Sequence, residues 1–122
     1  MTAQEKALEA FHAFAENTLS ESVTVGILPQ QGGISMQIVA GRREYTSLNR
    51  QTRRNIITLD MLCKSKSQSK AYESMCAVAN ACDSAELAEP IVNAQAVSEP
   101  VFVGKDGDFW IYSLTVSLRI MI

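Results

Sequence analysis

From Phe109 to Ile122 (FWIYSLTVSLRIMI), the alternate residues Trp110, Tyr112, Leu114, Val116, Leu118, Ile120 and Ile122 are large and mostly apolar. Ser113, Thr115, Ser117 and Arg119 fill most of the places between them. A period of two is that of a β-strand with one buried face. Burying each such side chain stabilises by roughly 1.5–3 kcal/mol, so a strand this long demands a cover. Two upstream segments have the spacing of three and four residues that makes a helical cover. In the first, Leu8, Phe11, Ala15 and Leu19 fall on one face, flanked by Ala7 and Phe14, while Lys6, Glu9, Glu16 and Asn17 take the other. Thr2, with Glu5 three residues on, opens it as a capping box. In the second, Ala71, Met75, Val78, Ala79 and Cys82 recur at helical spacing behind Ser67 or Ser69 as cap, and the helix is expected to end between Asp83 and Ala85.

Between these segments the alternation returns. Val23, Val25 and Ile27 predict a strand over Ser22 to Leu28 that Pro29 ends. Ile34, Met36 and Ile38 predict another after a Gln30 to Gly33 turn, closed or bulged by Gly41. Arg54 to Lys64 reads as an inner strand, because Ile57, Leu59, Met61 and Cys63 make one face and the other is partly apolar too. Ile91 to Glu99 is a weak strand, and Val101 to Val103 a short one. Asp106-Gly107 is a hairpin turn before the closing strand. The stretch from Gly41 to Arg53 lacks periodicity and is expected to be a long polar loop, the kind that in compact domains is usually functional or disordered. The order predicts one α+β domain over residues 1–122: a mixed, mainly antiparallel sheet with two helices on one face.

Bulk composition narrows the function. At 122 residues, 47% hydrophobic and 20% charged, the chain is long and apolar enough for one packed core. No apolar run reaches the roughly 18 residues of a membrane span, and the N-terminus lacks a secretory pattern, so a protein made and folded in the cytoplasm is expected. Cys63, Cys76 and Cys82 are odd in number and lack metal-ligand spacing, which fits reduced core thiols. His12, beside the apolar stripe of the first helix, has no thiol or acid placed to work with it. Gly32-Gly33 has no phosphate-loop lysine behind it. Asp60 and Glu73 lack a pocket or metal set that would make them an acid–base pair. No enzyme chemistry, cofactor or metal is indicated.

The net charge of −2 hides an asymmetry. Arg42, Arg43, Arg50, Arg53, Arg54, Lys64, Lys66 and Lys70 stand against Glu44 and Asp60 in one region, and the remainder is acidic. Opposite poles on one small domain suit head-to-tail contact between copies.

Three strings, EKALEAFHAFAENTL, ITLDMLCKSKSQSKAYESMCAVANACDS and WIYSLTVSLRIMI, together with the order of elements, resemble the tail terminator, or tail completion, proteins of long-tailed bacteriophages, also called minor capsid proteins. The likeness covers both ends and the middle of the chain and rests on length, element order and the terminal strand. It implies a tail-terminator-like fold and a non-enzymatic virion protein. Such a protein forms a homohexameric ring that ends the tail tube, meets the head connector or stopper protein at the head–tail junction, and lets DNA pass. The family carries no catalytic residues, so the site residues come from charge and placement alone. Arg42, Arg43, Arg50, Arg53, Arg54 and Tyr45 are candidates for contact with a neighbouring subunit or the tube, since guanidinium groups suit carboxylate partners. Asp83, Glu86, Glu89, Asp106 and Asp108 are the candidate acidic counterpart. The plainer alternative is a solvated basic loop with no partner. A head-side connector or stopper protein and a small nucleic-acid-binding domain remain the other readings of function.

Overall fold

The computed structural model describes residues 2–45, 53–84 and 86–121, and for 43–45 and 53–54 the backbone alone. Helix α1 (Ala3–Leu19) starts at Thr2, whose hydroxyl oxygen accepts the Glu5 N–H at 3.1 Å, and it ends at Ser20 in the left-handed conformation. It is followed by β1 (Val23–Val25), β2 (Gly33–Tyr45) and β3 (Arg53–Ser65). Helix α2 (Gln68–Cys82) is capped by Ser67, whose Oγ accepts the Lys70 N–H at 3.3 Å. Then come β4 (Ile91–Ala96), β5 (Val101–Asp106) and β6 (Phe109–Met121).

One six-stranded sheet holds these strands in the order β1-β2-β3-β6-β4, with β5 also paired to β6. The pairing is antiparallel except for β1, which lies parallel to β2, so the sheet is mixed. Strand β6 is the central plank, flanked by β3 on one side and by β4 and β5 end to end on the other. Its expected face is the buried one: Tyr112, Leu114, Val116, Leu118 and Ile120 are all in the core. Ile57, Leu59, Met61 and Cys63 join them from β3, and Ile34 and Met36 from β2. Both helices roof this single face, α1 through Ala7, Phe11 and Ala15 and α2 through Ala71, Met75, Val78 and Cys82. The small residues Ala7, Ala15 and Ala71, each fully buried, let the helices lie close on the sheet.

Two expectations are corrected. The strand expected over Ser22 to Leu28 is only Val23–Val25, and of its alternating residues Val23 alone is buried, while Ile27 is 90% exposed. Gly26, at φ 111°, turns the chain out of the strand there. The polar stretch from Gly41 to Arg53 is not a loop throughout: β2 runs on to Tyr45 and β3 starts at Arg53, paired as Arg42↔Ile56, Arg43↔Asn55, Glu44↔Arg54 and Tyr45↔Arg53. A bulge between Ile38 and Ala40 shifts the alternation by one residue, so the period of two that marks a strand in the sequence is broken there although the pairing continues.

Candidate functional site

Register sorts the charged residues into two ends of the sheet. At one end stand the last residues of β2, the first of β3, the last of β6 and the start of β4, tied by Arg54↔Met121 and by the Met121 N–H donating to the Pro90 carbonyl at 3.1 Å. Arg42, Arg43, Arg53, Arg54 and Tyr45 therefore share this end, while Arg50 lies outside the described residues. Because α2 runs antiparallel to β3, its C-cap Asp83 and the following Glu86 and Glu89 reach the same end, and all three are exposed. At the opposite end, on the order of 30 Å away at about 3.3 Å per residue along β3, the β5–β6 turn carries Asp106 and Asp108.

The five acidic candidates are thus divided by the fold. Asp106 is engaged within the chain: its Oδ2 takes the Lys64 ammonium at 2.7 Å. Lys64 is 6% exposed and its Nζ also lies 5.0 Å from the centre of the Phe109 ring. A buried ammonium needs such a partner, because an unpaired charge there is strongly destabilising. Glu86 and Glu89 lie at the basic end but on the opposite side of the sheet from β2, with β3 and β6 between.

The helix-free face of the sheet is polar. Arg42 of β2 and Arg119 of β6 stand on either side of Ile56 along the ladders Arg42↔Ile56 and Ile56↔Arg119. Ile56 is 9% exposed, and the aliphatic stems of two arginines are long enough to shield it. With Thr58, Asn93, Gln95 and Ser117 these arginines line an open trough of about 420 Å³. Thr115 Oγ donates to Asp60 Oδ1 at 3.0 Å farther along this face, so Asp60 serves a cross-strand contact. Arg119, Asn93 and Gln95 were not among the candidates drawn from the sequence. Arg119 sits at an outward position of the period-two strand, which is the signal that marks it; the faces of Asn93 and Gln95 depend on the bulge at Val92.

On the helical side of the basic end, Asn55 is 3% exposed and its Oδ1 has no hydrogen-bond partner among the described residues. His12 is half-buried, its Nε2 2.6 Å from the Val23 carbonyl oxygen, and so pins α1 to β1. Burial pushes the thiols of Cys63 and Cys82 up from 9.0 to about 11, which leaves both unreactive. Among the described residues no group of His, Cys, Asp and Glu is arranged to hold a metal ion, and no helix is long and apolar enough to cross a membrane. What the surface offers is contact: arginines, amides and carboxylates on flat or shallow faces.

The same fold occurs in a virus-like particle. A chain in the solved structure titled "Virion of native gene transfer agent (GTA) particle" superposes with a TM-score of 0.54 at 12% identity, over 95% of this chain and 98% of that one. No protein-family model and no curated protein matches the sequence. At that identity the likeness is one of fold, and it runs end to end, with almost nothing left over on either chain.

Proposed function

We propose that this protein is a non-enzymatic structural component of a phage or phage-like virion. In this reading it assembles as a homo-oligomeric ring, a hexamer in the resembled family, that ends the tail tube and joins it to the head connector or stopper. The observation that carries the reading is the end-to-end fold shared with a chain of a gene transfer agent virion. The resemblance of its three sequence strings to tail terminators supports the finer role. The charge layout agrees with it, since arginines and exposed carboxylates at one end of the sheet give copies of the chain something to bind in each other. A channel that lets DNA slide has no use for a tight phosphate grip, so the arginines are assigned to protein contacts.

The trough with Arg42 and Arg119 favours one other reading, a small nucleic-acid-binding domain. The two separate in one pair of measurements. Light scattering and electron microscopy of the purified protein are expected to show closed rings, and a labelled DNA duplex is expected to migrate unshifted at physiological salt. A monomer that shifts the duplex with a steep salt dependence would overturn the virion reading.

A further inference from the structure

The sheet has two open sides. On one, β1 covers β2 only at Ile34 to Met36, and from Gln37 onward no described strand lies beyond β2. On the other, β4 and β5 lie end to end along β6 with no described strand outside them. Each of these open strands is bulged, and the residue that the ladder skips is a valine every time: Val39 in β2, Val92 in β4 and Val103 in β5. They are 47%, 50% and 57% exposed. Bulges keep an open edge from zipping onto another backbone, but the side chains that guard an edge against contact are charged ones. Here the edges carry Val25, Ile27, Ile38 and Val39 on one side and Val92, Val97, Val101, Phe102 and Val103 on the other. Apart from Tyr72 and Met121, every large apolar side chain exposed among the described residues belongs to one of these two sides.

We infer that the two open sides are the two halves of one heterologous interface, each covered by the opposite side of a second copy of this chain. The inference rests on the ring reading above and names its joint. Three observations agree on it. Both sides are apolar, so each has its complement on the same molecule, and a head-to-tail contact that closes leaves neither side wet. The levels match: through Leu59 and Val116, Ile38 stands level with Ala96, next to Val97, and through Met61 and Leu114, Val25 stands next to the level of Val101. The charges match as well. A rotation axis running along the strands keeps like ends together, so Arg42 of one copy arrives at the level of Asn93 of the next, beside the Glu86 and Glu89 segment that leads into β4. The bulges make this a contact of side chains, with the valines as knobs, and not one continuous sheet running around the ring.

Paired variants test it. One carries Val25→Glu with Val39→Glu, spoiling the first side; the other carries Val97→Glu with Val101→Glu, spoiling the second. All four residues are about half exposed, and a far-UV circular dichroism spectrum that matches the parent's, with a single cooperative melt, verifies the fold of each variant, whose melting temperature falls below the parent's only by what assembly adds. In light scattering the parent gives a closed multimer and each variant alone stays at the 13.4 kDa of one chain. Mixed in equal amounts, the two variants double in mass and stop there, because one good side remains on each and only those two can join. A parent that assembles while the variants assemble equally well, or whose mixed variants stay single, overturns this interface and leaves the ring standing. A parent that is a single chain at every concentration overturns both.

Discussion

Leu114 is 1% exposed at the middle of β6, with Met61 opposite it on β3, in the core that both helices cover. Leu114→Ala is therefore expected to lower the unfolding free energy by about 2–5 kcal/mol in denaturant titration; a parent-like midpoint would mean that this face is not the core. Asn55 is the converse case. A buried carbonyl without a partner costs about 1–3 kcal/mol, so Asn55→Leu is expected to raise the melting temperature, and a lower one would show that the amide is satisfied after all. The thiols give a third check. Cys76 is half-buried on α2, while Cys63 and Cys82 are buried and stay protonated in the fold until about pH 11. In the unfolded chain they ionise near 9.0, so their contribution to stability is complete below that pH and falls as pH rises from 9.0 towards 11. Iodoacetamide at neutral pH is expected to label Cys76 first; equal labelling of all three contradicts the burial. Core residues such as Leu114 and Cys63 were readable from period alone, because burial writes itself into every second position of a strand. Asn55 was not, since a polar residue at a core-facing position looks like any break in the alternation.

Among the elements, the helices and the strands β3 and β6 followed from spacing, because each buries one face against the same core. The run from Gly41 to Arg53 did not, since the bulge at Val39 breaks the alternation and the pairing beyond it is carried by the backbone, which is indifferent to side-chain polarity. The same reason hid the joining of β5 to β6 along its full length to Asp106. The segment between β1 and β2 is tied down at Gly32. A Cβ there, at φ 94°, falls 2.9 Å from the Phe109 ring and 3.1 Å from the Lys64 carbonyl oxygen, so the turn meets the root of β6 only as glycine. Gly32→Ala is expected to cost about 1–3 kcal/mol in thermal or denaturant unfolding; an unchanged midpoint would show that this turn does not pack against Phe109.

For the molecule as a whole, the sequence revealed an uneven distribution of charge but not where the fold would put it. Asp106 and Asp108 read as equivalent to Glu86 and Glu89, and only the register places one pair on the turn far from the arginines and the other beside the end that bears them. The proposed pairing between Arg42 and those glutamates across copies predicts that assembly weakens with added salt, as the screening length falls below about 8 Å. In the proposed ring the apolar sides of the sheet contribute a part that salt does not touch. The most direct measurement is therefore the scattering mass of the purified protein across protein and salt concentration. The account predicts a closed multimer of several times 13.4 kDa whose midpoint concentration rises with salt. A mass of 13.4 kDa at every concentration and every ionic strength would contradict it.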